Sequence, residues 1–409
     1  MTVTTTSIAY ALKRLYPQER VDNLVYEDNP LLAMVDKEGG FGGSDSAIAV
    51  RYADSMGRSA SFADAQTGAT AGNAKGVQFQ VTRVKDYQIY ELESEAMLAA
   101  DEAGKAAFVK VLDTEVSSAL NNFGRSRAIS MYGDGIGALG QITVAGLVFT
   151  IQNPNSITNF EVGQKIVAST GATQTAILRN SGAGSTILAV DRDAGTITVD
   201  ANADVMATND WVFIKGDRQV AAITLQSQWL RLSGLEAWNP VTAPTSTTFF
   251  NVDRSLDPSR LGGIRQDIST FNPEEGLVTA MHRLAREGGR PSHIFMNNID
   301  AKNVQVSLGS KVNLEYTRIG EIGFTGIRIV GPKGDVMLYA DQNAPSGVGR
   351  LLQLNTWKLR YMKELAWIQA MDGAPLSRKA TTDSWEGRIA FYGQLTCTSP
   401  GRNSRLVLP

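Results

Sequence analysis

The chain has 409 residues, 43% of them apolar and 20% charged, which fits a soluble globular class and argues against disorder. With 39 basic and 41 acidic residues the formal net charge is -2, so nothing points to bulk electrostatic binding of nucleic acid or an anionic membrane. One cysteine, Cys397, excludes an internal disulfide, and two histidines, His282 and His293, leave few candidates for metal or imidazole chemistry.

No apolar run approaches the roughly 20 residues that cross a bilayer, and the first residues lack the basic-then-apolar order of a secretory signal. The expectation is a protein that is soluble or held in a larger assembly.

Residues 1–43 read as an arm with little core of its own. A short helix is expected at 7–15, and Pro17 and Pro30 break anything longer. Leu24, Val25, Tyr26, Leu31, Leu32 and Met34 are too apolar to float in water and should pack on something, a second subunit being one choice.

Residues 44–92 form a long two-stranded element around the stretch 61–76. From Ala63 to Gly76 there is no large apolar side chain. The reading is a nearly featureless finger held between two strands.

The chain then turns helical. Phe108, Val111, Leu112, Val116, Ala119, Leu120 and Phe123 recur at helical period. This predicts a helix over roughly 102–131, about 45 Å long, ended by Gly133.

Residues 142–216 carry short strand-like runs split by Gly, Asn and Asp clusters. They read as a small inserted β-domain, sandwich or barrel, with a hairpin turning at Asp193-Ala194-Gly195. Residues 217–271 are mixed, with Trp229 and Trp238 and a Pro/Thr/Ser loop at 240–248.

A compact α/β unit follows. Asn272-Pro273-Glu274-Glu275 is a helix start, Leu277, Met281, Leu284 and Ala285 a buried stripe, and Gly288-Gly289 the stop. A strand at 292–298, a helix at 299–308, a hairpin at 326–341, a run at 351–356 and a closing strand near 385–398 complete the order.

The motifs carry little chemistry. GIGALG (135–140) matches a dinucleotide turn, but a helix precedes it and a strand follows, the reverse of what pyrophosphate binding needs, so it reads as a flexible connection. DRDAG (191–195) lacks the later ligands of a calcium loop and reads as a turn. His282 sits off the helix stripe with no nucleophile near, His293 in an apolar strand, and Cys397 in a strand without a cationic neighbour. Catalytic loops and metal spacings are absent, so neither an enzyme nor a cofactor is expected.

The order of parts resembles the major capsid proteins of tailed bacteriophages, the Hong Kong 97-type fold. The likeness is carried by VTRVKDYQIYELESEAMLAA (81–100), the helix ending SMYGDGIG (130–137), and the run from GIRIVGPKGDVMLYADQNAP (326–345) through LLQLNTWKL (351–359) to WEGRIAFYGQLTCTSPG (385–401). The resemblance implies an α+β chain divided into an N-terminal arm (1–43), an extended loop (44–92), a spine helix and the start of the peripheral domain (93–141), the inserted β-domain (142–216), a peripheral connection (217–264), an axial α/β domain (265–355) and a return to the peripheral domain (356–409).

It implies a structural subunit of an icosahedral virion, assembled in a host cytoplasm from pentamers and hexamers around double-stranded DNA that is held non-specifically. The implied partners are the chain itself, a separate scaffolding protein, a portal and a decoration protein; no membrane is involved. Contacts between subunits are expected from the loop tip (Phe62, Asp64, Gln66, Thr67, Asn73, Lys75) and the arm (Leu24, Tyr26, Leu31, Leu32, Met34). Lys75 compares with the cross-linking lysine of some members, but no partner asparagine or catalytic glutamate matches, and a non-bonded grip is the expectation. Two rivals stand beside this reading. One is an encapsulin-like nanocompartment shell. The other is a carbohydrate-binding or enzymatic protein with a groove lined by Phe149, Phe160, Trp211 and Phe213.

Overall fold

The computed structural model describes residues 28–55, 57–72, 74–95, 105–223, 229–245, 248–309, 314–319, 322–367, 376–379 and 381–409. The helix expected at 7–15 lies outside them.

The first described element is a short helix, α1 (Pro30–Met34), opened by Pro30. Strand β1 (Asp36–Glu38) follows. Strands β2 (Asp45–Ala53) and β3 (Lys75–Thr82) form a hairpin, paired antiparallel from Asp45↔Thr82 to Ala53↔Lys75.

The segment between these strands is not a featureless finger: it folds into a ten-residue helix, α2 (Phe62–Ala71). Without large apolar residues it shows no hydrophobic stripe. Its alanines favour helix, and the Ser61 hydroxyl caps the start by accepting from the Asp64 N–H. Strand β4 (Val84–Glu93) then leaves the hairpin for a different sheet, so residues 44–92 hold two devices, not one.

Helix α3 (Lys105–Tyr132) has 28 residues, close to the predicted span. Val116, Leu120, Phe123 and Met131 form its buried face. Six strands come next: β5 (Ala138–Ala145), β6 (Val148–Ile151), β7 (Lys165–Ser169), β8 (Ser185–Asp191), β9 (Thr196–Val199) and β10 (Trp211–Ile214). They close a barrel in the order β10-β5-β6-β9-β8-β7. Phe149 and Phe160 fill its interior with Ile142, Ile166 and Ile197, and Phe213 is buried in an adjoining cluster. Three of the four aromatics suggested for a groove are therefore core and cannot line one, while Trp211 is half-buried at the edge of the barrel.

Short elements α4 (Leu235–Trp238), β11 (Thr248–Phe249), β12 (Val252–Asp253) and α5 (Pro258–Gly262) connect onward. The α/β unit contains β13 (Ile264–Asp267), α6 (Pro273–Arg286), β14 (His293–Met296), α7 (Asn298–Leu308), β15 (Leu314–Ile319), β16 (Ile322–Gly331), β17 (Gly334–Ala340) and β18 (Val348–Leu352). The chain ends with β19 (Trp357–Trp367), β20 (Leu376–Arg378), β21 (Ser384–Cys397) and β22 (Ser404–Val407). Strand β22 enters the α/β sheet, whose order is β13-β22-β18-β14-β17-β16-β15.

Strand β21 organises the other large sheet. It pairs with β19 and β20 along one edge and with β4 along the other, and β1 runs parallel beside β19. Trp238 sits where the parts meet. Its ring lies 5.2 Å from Phe79 of the hairpin, 5.0 Å from Phe249 and 6.5 Å from Trp357, and its indole N–H donates to the Leu395 carbonyl. The contact secures the hairpin base to the body.

Candidate assembly surfaces

The hairpin changes character along its length. Ile48, Val50, Phe79 and Val81 bury one face of its base in the main core. The tip is different: Phe62 is 83% exposed at the first turn of α2, and Asp64, Gln66, Thr67 and Lys75 are exposed as well. Asn73 lies outside the described residues. A side chain of this size left in water regains on the order of 2 kcal/mol when another surface covers it.

The arm residues are divided. Leu31 and Leu32 are each 1% exposed and belong to the chain's own core. They have no surface left for a neighbour, which corrects their assignment as contacts between subunits. Met34 is half-buried against the same core. Leu24 and Tyr26 lie outside the described residues.

A second apolar surface was not singled out in the sequence. On β4, Tyr87 and Ile89 point outward, 51% and 52% exposed. Tyr87 meets Tyr392 of β21 edge-on at 5.9 Å, and Met362 of β19 is also exposed. Ion pairs Lys379–Glu91 and Arg388–Glu386 border the patch. The alternation of β4 contains the signal, but it does not say that its outer face keeps two large apolar residues.

Beneath this sheet a buried charge network ties three parts together. Arg231 donates to Asp86 of β4 at 3.1 Å and to the Ser126 carbonyl of α3 at 2.9 Å, and it lies 3.5 Å from Asp217, just past the barrel. Burial pushes the Asp217 carboxyl up to about 6 against the pull of Arg231, and the Asp86 charge adds to the rise. A second network holds Glu236 of α4 between Arg350 of β18 and Arg405 of β22. Burial alone would raise the Glu236 carboxyl; the two guanidinium groups hold it below its ordinary range.

The reactive residue types are placed structurally. The Cys397 thiol is fully buried and pushed up to about 12 by that burial, so it stays protonated at neutral pH. His293 stacks on Phe295 and Tyr339 at 6.0 and 5.8 Å, and its burial lowers its affinity for a proton. His282 is exposed on α6. Among the described residues no three His, Cys, Asp or Glu side chains gather into a metal-binding group. In DRDAG the Asp191 carboxylate accepts from the Asp193 and Ala194 N–H groups, an ordinary turn. In GIGALG, Gly135 and Gly137 hold φ of +90° and +89°, a Cβ on Gly135 would lie 2.4 Å from the Trp229 ring, and Ala138 already begins β5.

No protein-family model and no curated protein matches the sequence. The structure does have counterparts, and its fold is the Hong Kong 97-type major capsid fold of tailed bacteriophages. The capsid of cyanophage A-1(L) is similar over 97% of this chain and 99% of that one, with a TM-score of 0.50 and 14% identity. The capsid of the myovirus phage XM1 is similar over 93% and 92%, with a TM-score of 0.42 and 8% identity. An encapsulin from Synechococcus elongatus PCC 7942 is similar over 93% and 88%, with a TM-score of 0.41 and 8% identity.

Proposed function

We propose that this chain is the structural subunit of an icosahedral bacteriophage shell and performs no catalysis. The observation that carries the reading is the hairpin: a base buried in the core beneath a projecting helix whose Phe62 touches nothing of its own chain's core, on a fold of the capsid type. Symmetric repetition of that tip on neighbouring subunits builds pentamers and hexamers without new chemistry. The outward patch at Tyr87 and Ile89 is the apolar surface offered to the tip of an adjacent copy. Extended contacts of this kind bury on the order of thousands of Å².

In this role a scaffolding protein sets curvature, a portal occupies one vertex, and packaged DNA meets the shell without base recognition. The nearly balanced charge suits a container filled by a motor better than a protein that neutralises phosphates. The barrel braces adjacent capsomers or presents a platform for a decoration protein.

Co-expression with the scaffolding, portal and packaging-motor proteins in cells carrying the DNA to be packaged, followed by electron microscopy, tests the reading. Closed particles that fill with DNA are the expected result. A chain that stays monomeric under those conditions overturns it, and closed particles loaded with a cellular protein place it with the nanocompartment shells instead.

A further inference from the structure

Strand β4 has an open edge. One side of it is covered by β21, from Glu93↔Ser384 to Val84↔Gly393. Among the described residues no other strand pairs with it. The Ser94 N–H donates to the Asp383 carbonyl at 3.1 Å, which fixes the phase of this ladder. Even-numbered residues of β4 turn their backbone groups to β21, and Lys85, Tyr87, Ile89, Glu91 and Glu93 turn theirs away from it. Among the described residues these outward groups meet only a long contact, the Gln88 amide donating to the Ile89 carbonyl at 3.4 Å. The side chains of the same five residues are exposed on the outer face. A long edge with two large apolar side chains is a template for another strand.

The order of side chains selects that strand. Charges on an edge ordinarily deter pairing. Here a cation (Lys85) stands at one end, Tyr87 and Ile89 in the middle and an anion (Glu91) at the other. Reversing the strand exchanges the ends. A second copy of β4, laid antiparallel with Gln88 opposite Gln88, sets Lys85 against the partner's Glu91 and Tyr87 against the partner's Ile89, each pair occurring twice. Opposite charges and aromatic–β-branched neighbours are both favourable across strands. In this register the opposed outward residues are also the ones whose backbone groups are unpaired, so the ladder closes. Sliding by one pair sets Tyr87 against Glu91 or Lys85 against Ile89. A parallel copy sets like charges together. Lys379 of the same chain reaches Glu91 from the β21 side and leaves the edge open.

We propose that the β4 edges of two copies pair antiparallel about a two-fold axis through Gln88, joining their sheets into one. Rings of five or six are built from head-to-tail contacts, so a self-complementary contact joins subunits of neighbouring rings. The new bonds lie in the plane of the sheet. The outer face at Tyr87 and Ile89 stays free for a hairpin tip and is doubled in extent across the axis. The proposal rests on the shell reading and names a contact within it.

The test uses the full chain carrying Gln88→Cys, co-expressed as above, with the purified particles oxidised mildly. Cys397 is buried and is left in place. Residues opposed across a two-fold strand pair lie within reach of a disulfide. The expected product is an interchain link joining two copies of the peptide that contains position 88. Ile89→Cys faces position 87 of the partner, not itself, and is expected to stay unlinked. A link through position 89 and none through 88 overturns the register and the proposal with it.

A charge exchange guards against poor thiol geometry. Lys85→Glu is expected to lower the yield of closed particles about tenfold or more, because the two-fold repeats the repulsion. Adding Glu91→Lys to the same chain is expected to restore most of the yield. Parent particles with no link at position 88, together with undiminished yield from Lys85→Glu, overturn the pairing and leave the shell reading standing. A parent chain that never leaves the monomer overturns the shell reading and the pairing with it.

Discussion

The Arg127 guanidinium lies 4.0 Å above the Phe391 ring, and among the described residues none of its three nitrogens has a hydrogen-bond partner. Arg127 is 1% exposed on the inner face of α3, with the Phe123 ring 5.8 Å away. A buried cation without a counter-charge costs several kcal/mol, and ring faces return roughly 2 kcal/mol of it. Arg127→Met keeps the packing volume and removes the charge. It is expected to raise the unfolding free energy of the subunit by about 1–4 kcal/mol in urea titration. A loss of stability with Met would show that the guanidinium is a net stabiliser and sink this account.

Phe62 and Phe79 sit on the same hairpin and should behave as opposites. Phe79→Ala empties the contact with Trp238 and is expected to cost about 3–5 kcal/mol of subunit stability. Phe62→Ser removes no core contact and should leave the unfolding free energy within about 0.5 kcal/mol of the parent. Its effect should appear in assembly: fewer closed particles by sedimentation and electron microscopy. Equal particle yield from Phe62→Ser would remove the tip helix from the proposed interface.

How legible all this was differs from element to element, for physical reasons. Helix α3 announced itself because Val116, Leu120 and Phe123 repeat at its period, and β21 because a long β-rich run closes the chain. Helix α2 was hidden because its stability comes from alanine propensity and the Ser61 cap, neither of which makes a hydrophobic stripe. Leu31 and Leu32 were legible as buried but not as buried in their own subunit, since apolar character does not name the partner surface. The Arg231–Asp86 pair joins residues 145 positions apart, and no local pattern foretells such a pairing.

Asp217 gives the fold a measurable pH dependence. Its carboxyl titrates near 3.8 ordinarily and at about 6 in the folded chain. Between those values the folded state holds a proton that the unfolded state releases, so this group's contribution falls as pH rises from 4 to 6 and is flat above. The loss is on the order of 3 kcal/mol. Asp217→Asn removes that slope, so the variant should gain on the parent as pH rises across this window. Denaturation curves that stay parallel from pH 4 to 7 would contradict the buried placement of this carboxyl.

Gly135 tests whether the connection from α3 to the barrel is a built turn. Its φ of +90° favours glycine, and a Cβ would meet the Trp229 ring at 2.4 Å. Two costs therefore add in Gly135→Ala: a backbone strain of about 1–3 kcal/mol and displacement of a packed indole. Gly133, which has no positive φ and where an added Cβ would lie 3.4 Å from the Ser130 carbonyl oxygen, an ordinary contact, is the matched control. Gly133→Ala should change stability by less than about 1 kcal/mol, and Gly135→Ala should lower it by about 2 kcal/mol or more with altered Trp fluorescence. Similar behaviour of the two variants would mean that Trp229 yields freely and that the barrel hangs on a loose joint. A large gap between them would mean that the Gly135–Trp229 contact holds the barrel's first strand in register with α3.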